Sequence, residues 1–240
     1  WRDGRARFDA YLDDHACLIN GLVTLYEACF EERYVSAALG LAQLVLDHFH
    51  DPQQGNFFYT ADDHEQLIAR QKDVQDNPAP SGNGMLATAL LRLGKLTGRQ
   101  DLQETARQII ASFASVMQRA PSATGQMLLA LDFDLGPTSE VALLVEPGDG
   151  SVTILADLRG RHIPHKVLAC RDGDGEPLPL LPGADNQDLR CQALDPLFAG
   201  KTALQGSTTA YICRDFACGE PQVGETAIVA AWDRLEKETG

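Results

Sequence analysis

The 240-residue chain is 44% hydrophobic and carries a formal charge of -14, which supplies apolar material for a core and opposes binding to nucleic acid or an anionic membrane surface. No apolar run reaches the ~20 residues of a bilayer span and no stretch resembles a signal peptide, so a cytoplasmic protein with no nucleic-acid and no membrane partner is expected.

In chain order, Ile19, Val23, Tyr26 and Phe30 recur at helical spacing, with Leu22 and Leu25 widening the stripe, and predict a helix from about Ala10 to Phe30. Glu31 and Glu32 mark a short turn. A second helix from Arg33 carries Val35, Leu39, Ala42, Leu46 and Phe49 and stops at Asp51-Pro52, so the two form an antiparallel hairpin. Ser81 then reads as an N-cap for a third helix with Met85, Ala89, Leu93 and Leu96, closed by Gly98. A fourth shows Leu102, Ala106, Ile109, Phe113 and Met117.

Sliding the first hairpin onto the second by about 68 positions aligns Leu22 with Leu90, Leu25 with Leu93, Ala38 with Ala106, Leu41 with Ile109 and Phe49 with Met117. A repeated hairpin points to a solenoid or toroid, because one hairpin alone cannot bury both its faces. Between the hairpins lies the stretch from Gly55 to Gly84, rich in aromatics, acids and amides. Connections this long are usually functional, so a site is expected at that end of the array.

A fifth helix follows Pro121 with Met127, Leu128, Leu131 and Leu135, and ends at Gly136-Pro137. Beyond it, strand patterns at Glu140–Val145, Lys166–Cys170 and Thr208–Cys213 alternate with helical ones at Ser151–Leu158 and Glu225–Lys237, the last carrying Ile228, Val229, Trp232 and Leu235. A loop rich in Gly, Pro and Asp spans Asp172 to Asp188. The expected organisation is a helical-hairpin domain over residues 1–136 and a small α/β domain with a partly parallel sheet over 137–240. Arg159, Arg161, His162, His165 and Lys166 read as a solvated helix end. Cys17, Cys29 and Cys170 read as small core residues and Cys191 as a loop residue. Cys213 and Cys218 read as structural thiols, with a redox or zinc role, the latter completed by His162 and His165, as the weaker alternative.

The segments Phe8-Asp9-Ala10-Tyr11-Leu12-Asp13-Asp14-His15-Ala16, Gly55-Asn56-Phe57-Phe58, Pro80-Ser81-Gly82-Asn83, Ala130-Leu131-Asp132-Phe133 and Tyr211 to Cys218 together resemble the YyaL-like proteins, relatives of the spermatogenesis-associated thioredoxin-domain protein. The resemblance covers nearly the whole chain. It implies a parent with a thioredoxin-like domain, a six-hairpin α/α toroid similar to sugar-active glycosidases and epimerases, and a C-terminal α/β region. This chain, which opens at Trp1, would hold only the later part, with the thioredoxin-like domain or the other toroid half as a partner. One departure is Asp76-Asn77-Pro78-Ala79, where the family pattern has Asp-Gly-Ala.

Four carboxylates are the candidate catalytic groups: Asp13 and Asp14 at the start of the first helix, and Asp73 and Asp76 across the mouth. The plain alternative for the first pair is helix capping. Tyr11, His15, Phe57, Phe58, Tyr59, Arg70, Lys72, Ser81 and Asn83 are the candidate contacts of a sugar or small polar ligand. Aromatic faces suit sugar rings, although rim packing explains Phe57 to Tyr59 equally well. Two glycines in the first turn at Ser81-Gly82-Asn83-Gly84 imply close approach of a neighbour or a ligand. Asp62, Asp63, His64 and Glu65 read as a solvated turn, with ligands from one direction only, so no metal and no cofactor is expected. No motif names a reaction; a carbohydrate-binding or carbohydrate-active toroid is the leading expectation and a non-catalytic scaffold its rival.

Overall fold

The computed structural model describes residue 4 and residues 9–64, 69–146, 148, 150–178 and 190–239. The protein is mainly helical, with helical hairpins followed by a small sheet. Helices α1 (Leu12–Cys29) and α2 (Arg33–His48) form the first hairpin. A two-stranded ribbon, β1 (His50–Asp51) and β2 (Asn56–Phe57), turns the chain back toward it. Helices α3 (Gly82–Thr97) and α4 (Gln100–Ser112) form the second hairpin. The fourth predicted helix breaks at Phe113, and its end is a separate helix α5 (Ala114–Arg119), followed by α6 (Gly125–Leu135).

The apolar stripes face inward largely as their spacing requires. Leu12, Ala16, Ile19, Val23 and Tyr26 bury one side of α1 against α3, which is buried on almost every side. Leu25 and Leu135 are exposed instead, because a stripe wider than the covering surface leaves its margin in water. Cys17 is likewise exposed and Cys29 half-buried, whereas Cys170 is buried as expected.

Strands β3 (Ser139–Val145), β4 (Lys166–Asp172), β5 (Thr209–Arg214), β6 (Ala217–Cys218) and β7 (Gln222–Val223) build the second sheet in the order β4-β3-β5-β6, with β7 also on β5. β3 and β4 are parallel and joined through α7 (Ser151–Arg159), while β5 runs antiparallel to β3. The apolar run 141–145 of β3 fits a strand covered on both faces. Helix α8 (Asp195–Phe198) packs near α3, and α9 (Gly224–Thr239) buries Ile228, Trp232 and Leu235. Core residues of helices and sheet form one continuous cluster.

A buried ion pair crosses that core. Arg171 of β4 donates to Glu32 at 2.8 Å, and the side chains are 1% and 0% exposed. Glu32 also accepts from the Cys191 N–H at 2.6 Å, and Arg171 reaches Asp195 at 2.8 Å. The basic cluster after α7 is not simply solvated: Arg161 binds Asp157, Asp233 and Glu236, and the buried His165 meets Asp132 at 2.8 Å.

Candidate functional site

The described parts of the connection after β2, residues 58–64 and 69–81, are held by backbone and side-chain hydrogen bonds outside helix and sheet. Leu12 N–H donates to the Tyr59 carbonyl at 3.0 Å and Tyr59 N–H to the Gln71 carbonyl at 2.7 Å, so residues 57–60 lie between the start of α1 and the segment leading to α3. Asn83 fixes the same segment from below. Its Oδ1 accepts from Phe57 N–H at 3.0 Å, and its Nδ2 donates to the carbonyls of Phe57 at 2.9 Å and Asp73 at 3.0 Å.

This packing opens a cleft of about 330 Å³ whose walls include Asp13, Tyr59, Lys72, Asp73, Asn77 and Pro80. Asp13 and Asp73, expected to face one mouth, both line it. Burial pushes the Asp73 carboxyl above its ordinary range, the nearby Asp13 and Asp76 carboxylates add to the shift, and the Gly82 N–H opposes it. The Tyr59 hydroxyl, 3.5 Å from Asp13 Oδ2, is also raised, first by burial and then by Asp13. Tyr59 stacks on Tyr11 with ring centroids 4.8 Å apart. The cleft thus joins two acids from different segments, an ammonium and a phenol.

Several candidates serve the frame of the cleft instead. Asp14 accepts from Tyr11 N–H at 3.0 Å and caps α1. Asp76 accepts from Ser81 N–H and from Gln126 N–H, each at 2.9 Å, so both its oxygens bind chain at the starts of α3 and α6. Ser81 is the N-cap of α3, accepting from Gly84 N–H at 3.1 Å, and both Ser81 and Asn83 are fully buried. The two glycines reflect neighbours: a Cβ on Gly82 would lie 3.1 Å from Asp13 N, and one on Gly84 3.1 Å from Met127 N.

The aromatics divide three ways. Phe57 is in the core, Phe58 lies under Arg70 and Lys72, and only Tyr59 reaches the cleft. Arg70 donates to the carbonyls of Thr60 and His48, closing the loop on itself. Lys72 pairs with Asp51 and with Gln54 at 2.9 Å, and holds the Asp51 carboxyl below its usual range. His15 donates to or accepts no cleft group; its Nδ1 lies 2.9 Å from the Tyr11 carbonyl, and it borders a separate pocket of about 200 Å³ with His48, Asp63 and His64.

Two readings of the metal-capable residues change. His48, at the end of α2, brings a second direction to Asp62 and Asp63, and ligand atoms of the three lie within 4.8 Å of one another on the surface. Glu65 is outside the described residues. Cys213 and Cys218, expected as structural thiols, are joined in a disulfide, and in this bridged form neither offers a thiolate to a zinc set. The lining residues missing from the expected contacts are Gln71, Asn77, Ala79 and Pro80; Asn77 and Ala79 stand inside the departure that follows Asp76, and that departure was the available signal.

No family model matches the chain. The chain is similar to spermatogenesis-associated protein 20 of several mammals. The human spermatogenesis-associated protein 20 is 30% identical over 213 residues, covering 88% of this chain and 26% of the human protein. The rat protein is 30% identical with the same shares, and the mouse protein 29% identical over 88% of this chain and 25% of its own length. This chain therefore spans about a quarter of spermatogenesis-associated protein 20, 26% for the human protein. No described helix is long and apolar enough to cross a membrane.

Proposed function

We propose that the cleft between α1 and the segment 71–80 binds a carbohydrate or a similar small polyhydroxylated ligand, in a cytoplasmic protein of the YyaL-like kind. The supporting observation is the pairing of Asp13 and Asp73 in one open cleft, with one carboxyl held toward its protonated form. A carboxyl shifted toward its protonated form, with a second carboxyl in the same cleft, suits glycosidase-like or epimerase-like acid/base chemistry. Asp73 would be the acid and Asp13 the base, while Tyr59 offers a ring face and a hydroxyl to the ligand. A cleft of about 330 Å³ falls in the range of small-ligand sites. Asp76, Ser81 and Asn83 contribute by holding that geometry.

The second reading, a scaffold within an α/α toroid that holds partner domains such as a thioredoxin-like one, is favoured by α1. Leu18 and Leu25 are 53% and 43% exposed there, and the repeat places them opposite Leu86 and Leu93 of α3, which are fully buried. A further hairpin on that face would cover them as α1 covers α3.

One measurement separates the readings: ligand-observed NMR of the chain with a panel of neutral sugars and sugar phosphates. The carbohydrate reading expects saturation transfer from the protein to at least one class of sugar, lost in Asp73→Asn and in Asp13→Asn while both variants stay folded. No transfer from the folded wild type to any sugar overturns it and leaves the scaffold.

A further inference from the structure

The tip of the β5–β6 hairpin is cross-linked by a disulfide and carries two left-handed residues. Gly219 N–H donates to the Ile212 carbonyl at 3.1 Å, so the adjacent Cys213/Cys218 pair is a non-hydrogen-bonded one, where facing side chains come closest. The two sulfurs are bonded, and their Cα atoms are 3.9 Å apart. Between them, Arg214 and Ala217 flank a two-residue turn in which Asp215 and Phe216 have φ of 49° and 63°. Left-handed backbone at both positions is the twist a hairpin wants, but it is disfavoured for residues other than glycine, asparagine or aspartate, and Phe216 is none of these.

The tip is docked as well as bridged. Asp215 accepts from Lys95 at 2.7 Å, and Lys95 also reaches Glu140 at 3.0 Å. The second Glu140 oxygen accepts from Phe216 N–H at 3.0 Å. Glu140 is fully buried and the Lys95 side chain 10% exposed, whereas that of Asp215 is 88% exposed. An ion pair with one solvated partner is a weak anchor for a turn in a disfavoured conformation. The tip forms one wall of an open groove of about 570 Å³, with Gln103 and Arg107 of α4 across from it.

The remaining cysteines, Cys17, Cys29, Cys170 and Cys191, are free. A framework disulfide would tie distant segments, but this one joins neighbours five residues apart. Cys218 lies on an exposed edge while Cys213 is buried, so one sulfur is open to attack and the other is placed to leave.

We propose that Cys213 and Cys218 are a reversible thiol–disulfide site, reduced by a dithiol, whose oxidised form locks the hairpin tip over Lys95 and Glu140. A thiolate of the dithiol attacks the Cys218 sulfur; the sulfur–sulfur bond breaks and Cys213 leaves as a thiolate that takes up a proton. The second thiol of the reductant closes on the mixed disulfide, releasing Cys218 as a thiolate that is protonated in turn. Two electrons pass to the cysteine pair and the reductant leaves as a disulfide. The turn is then held only by its docking contacts, relaxes from its left-handed backbone, and opens the Lys95–Glu140 pair to the groove.

The test uses the full chain with dithiothreitol as reductant and oxidised glutathione as oxidant. After denaturation with an alkylating agent, the oxidised protein is expected to label at four cysteines and the reduced protein at all six. In the native state, reduction is expected to speed amide exchange across residues 212–219 and acylation of Lys95 by roughly tenfold. Cys213→Ser with Cys218→Ser should behave as the reduced wild type and ignore dithiothreitol; should that variant not fold, the two redox forms of the wild type still give the comparison. Six labelled cysteines after oxidation, or equal exchange and equal Lys95 acylation in both redox forms, overturns the proposal.

Discussion

Asn83 holds Phe57 by both of its backbone polar groups, accepting from the N–H at 3.0 Å and donating to the carbonyl at 2.9 Å. Both residues are buried, so no water replaces these bonds. Asn83→Ala strands two backbone groups at about 1–3 kcal/mol each and also frees the Asp73 carbonyl. The expected result is a loss of about 2–6 kcal/mol in urea unfolding, together with faster exchange at residues 57–60.

Glycine positions test the close approach of helices. At Gly84 a Cβ would lie 2.8 Å from Ser81 Oγ and 3.1 Å from Met127 N, displacing the α3 cap or pushing α6 away. Gly84→Ala is expected to destabilise by about 1–2 kcal/mol despite the gain in helix propensity. Gly21 and Gly40 sit in open helical positions, and alanine there should stabilise by up to about 1 kcal/mol. Denaturation midpoints of the three variants decide the matter.

The Glu32–Arg171 pair predicts an asymmetry. Arg171→Met leaves a buried carboxylate without its cation and is expected to cost about 3–5 kcal/mol, as is Glu32→Ala for the converse reason. The double replacement Glu32→Leu with Arg171→Met should recover much of that loss in thermal unfolding, since no lone charge remains buried.

Asp73 makes stability depend on pH. Its folded-state carboxyl lies above the ordinary value of 3.8, so folding favours the protonated form. The stability contributed is complete below the unfolded value and is lost as pH rises through the folded value. Asp73→Asn should therefore melt higher than wild type at pH 7, and the difference should vanish below about pH 3. An unchanged difference across that range would mean that burial does not hold the proton on Asp73.

The order of the long helices, their inward stripes and the partly parallel sheet were legible in the sequence, because periodicity and end signals are local properties. The expectation that Asp13 or Asp14 shares one end of the array with Asp73 or Asp76 came from loops that gather where the repeat places them; which of the four line the cleft was not legible. Other assignments depended on partners far away in the chain. Asp76 became a double cap because Gln126 arrives from α6, and His48 joined Asp62 because α2 ends beside that loop. The Cys213–Cys218 bridge was hidden by its turn: Asp215-Phe216 lacks the glycine signature of a tight hairpin, and it is Lys95, Glu140 and the surface at Gly98 that hold it there. Spacing along the chain determined which residues could face inward or share an end. Only the tertiary structure decided which polar groups were left for a ligand, because a buried N–H or carbonyl claims the nearest carboxylate or amide before solvent or substrate can.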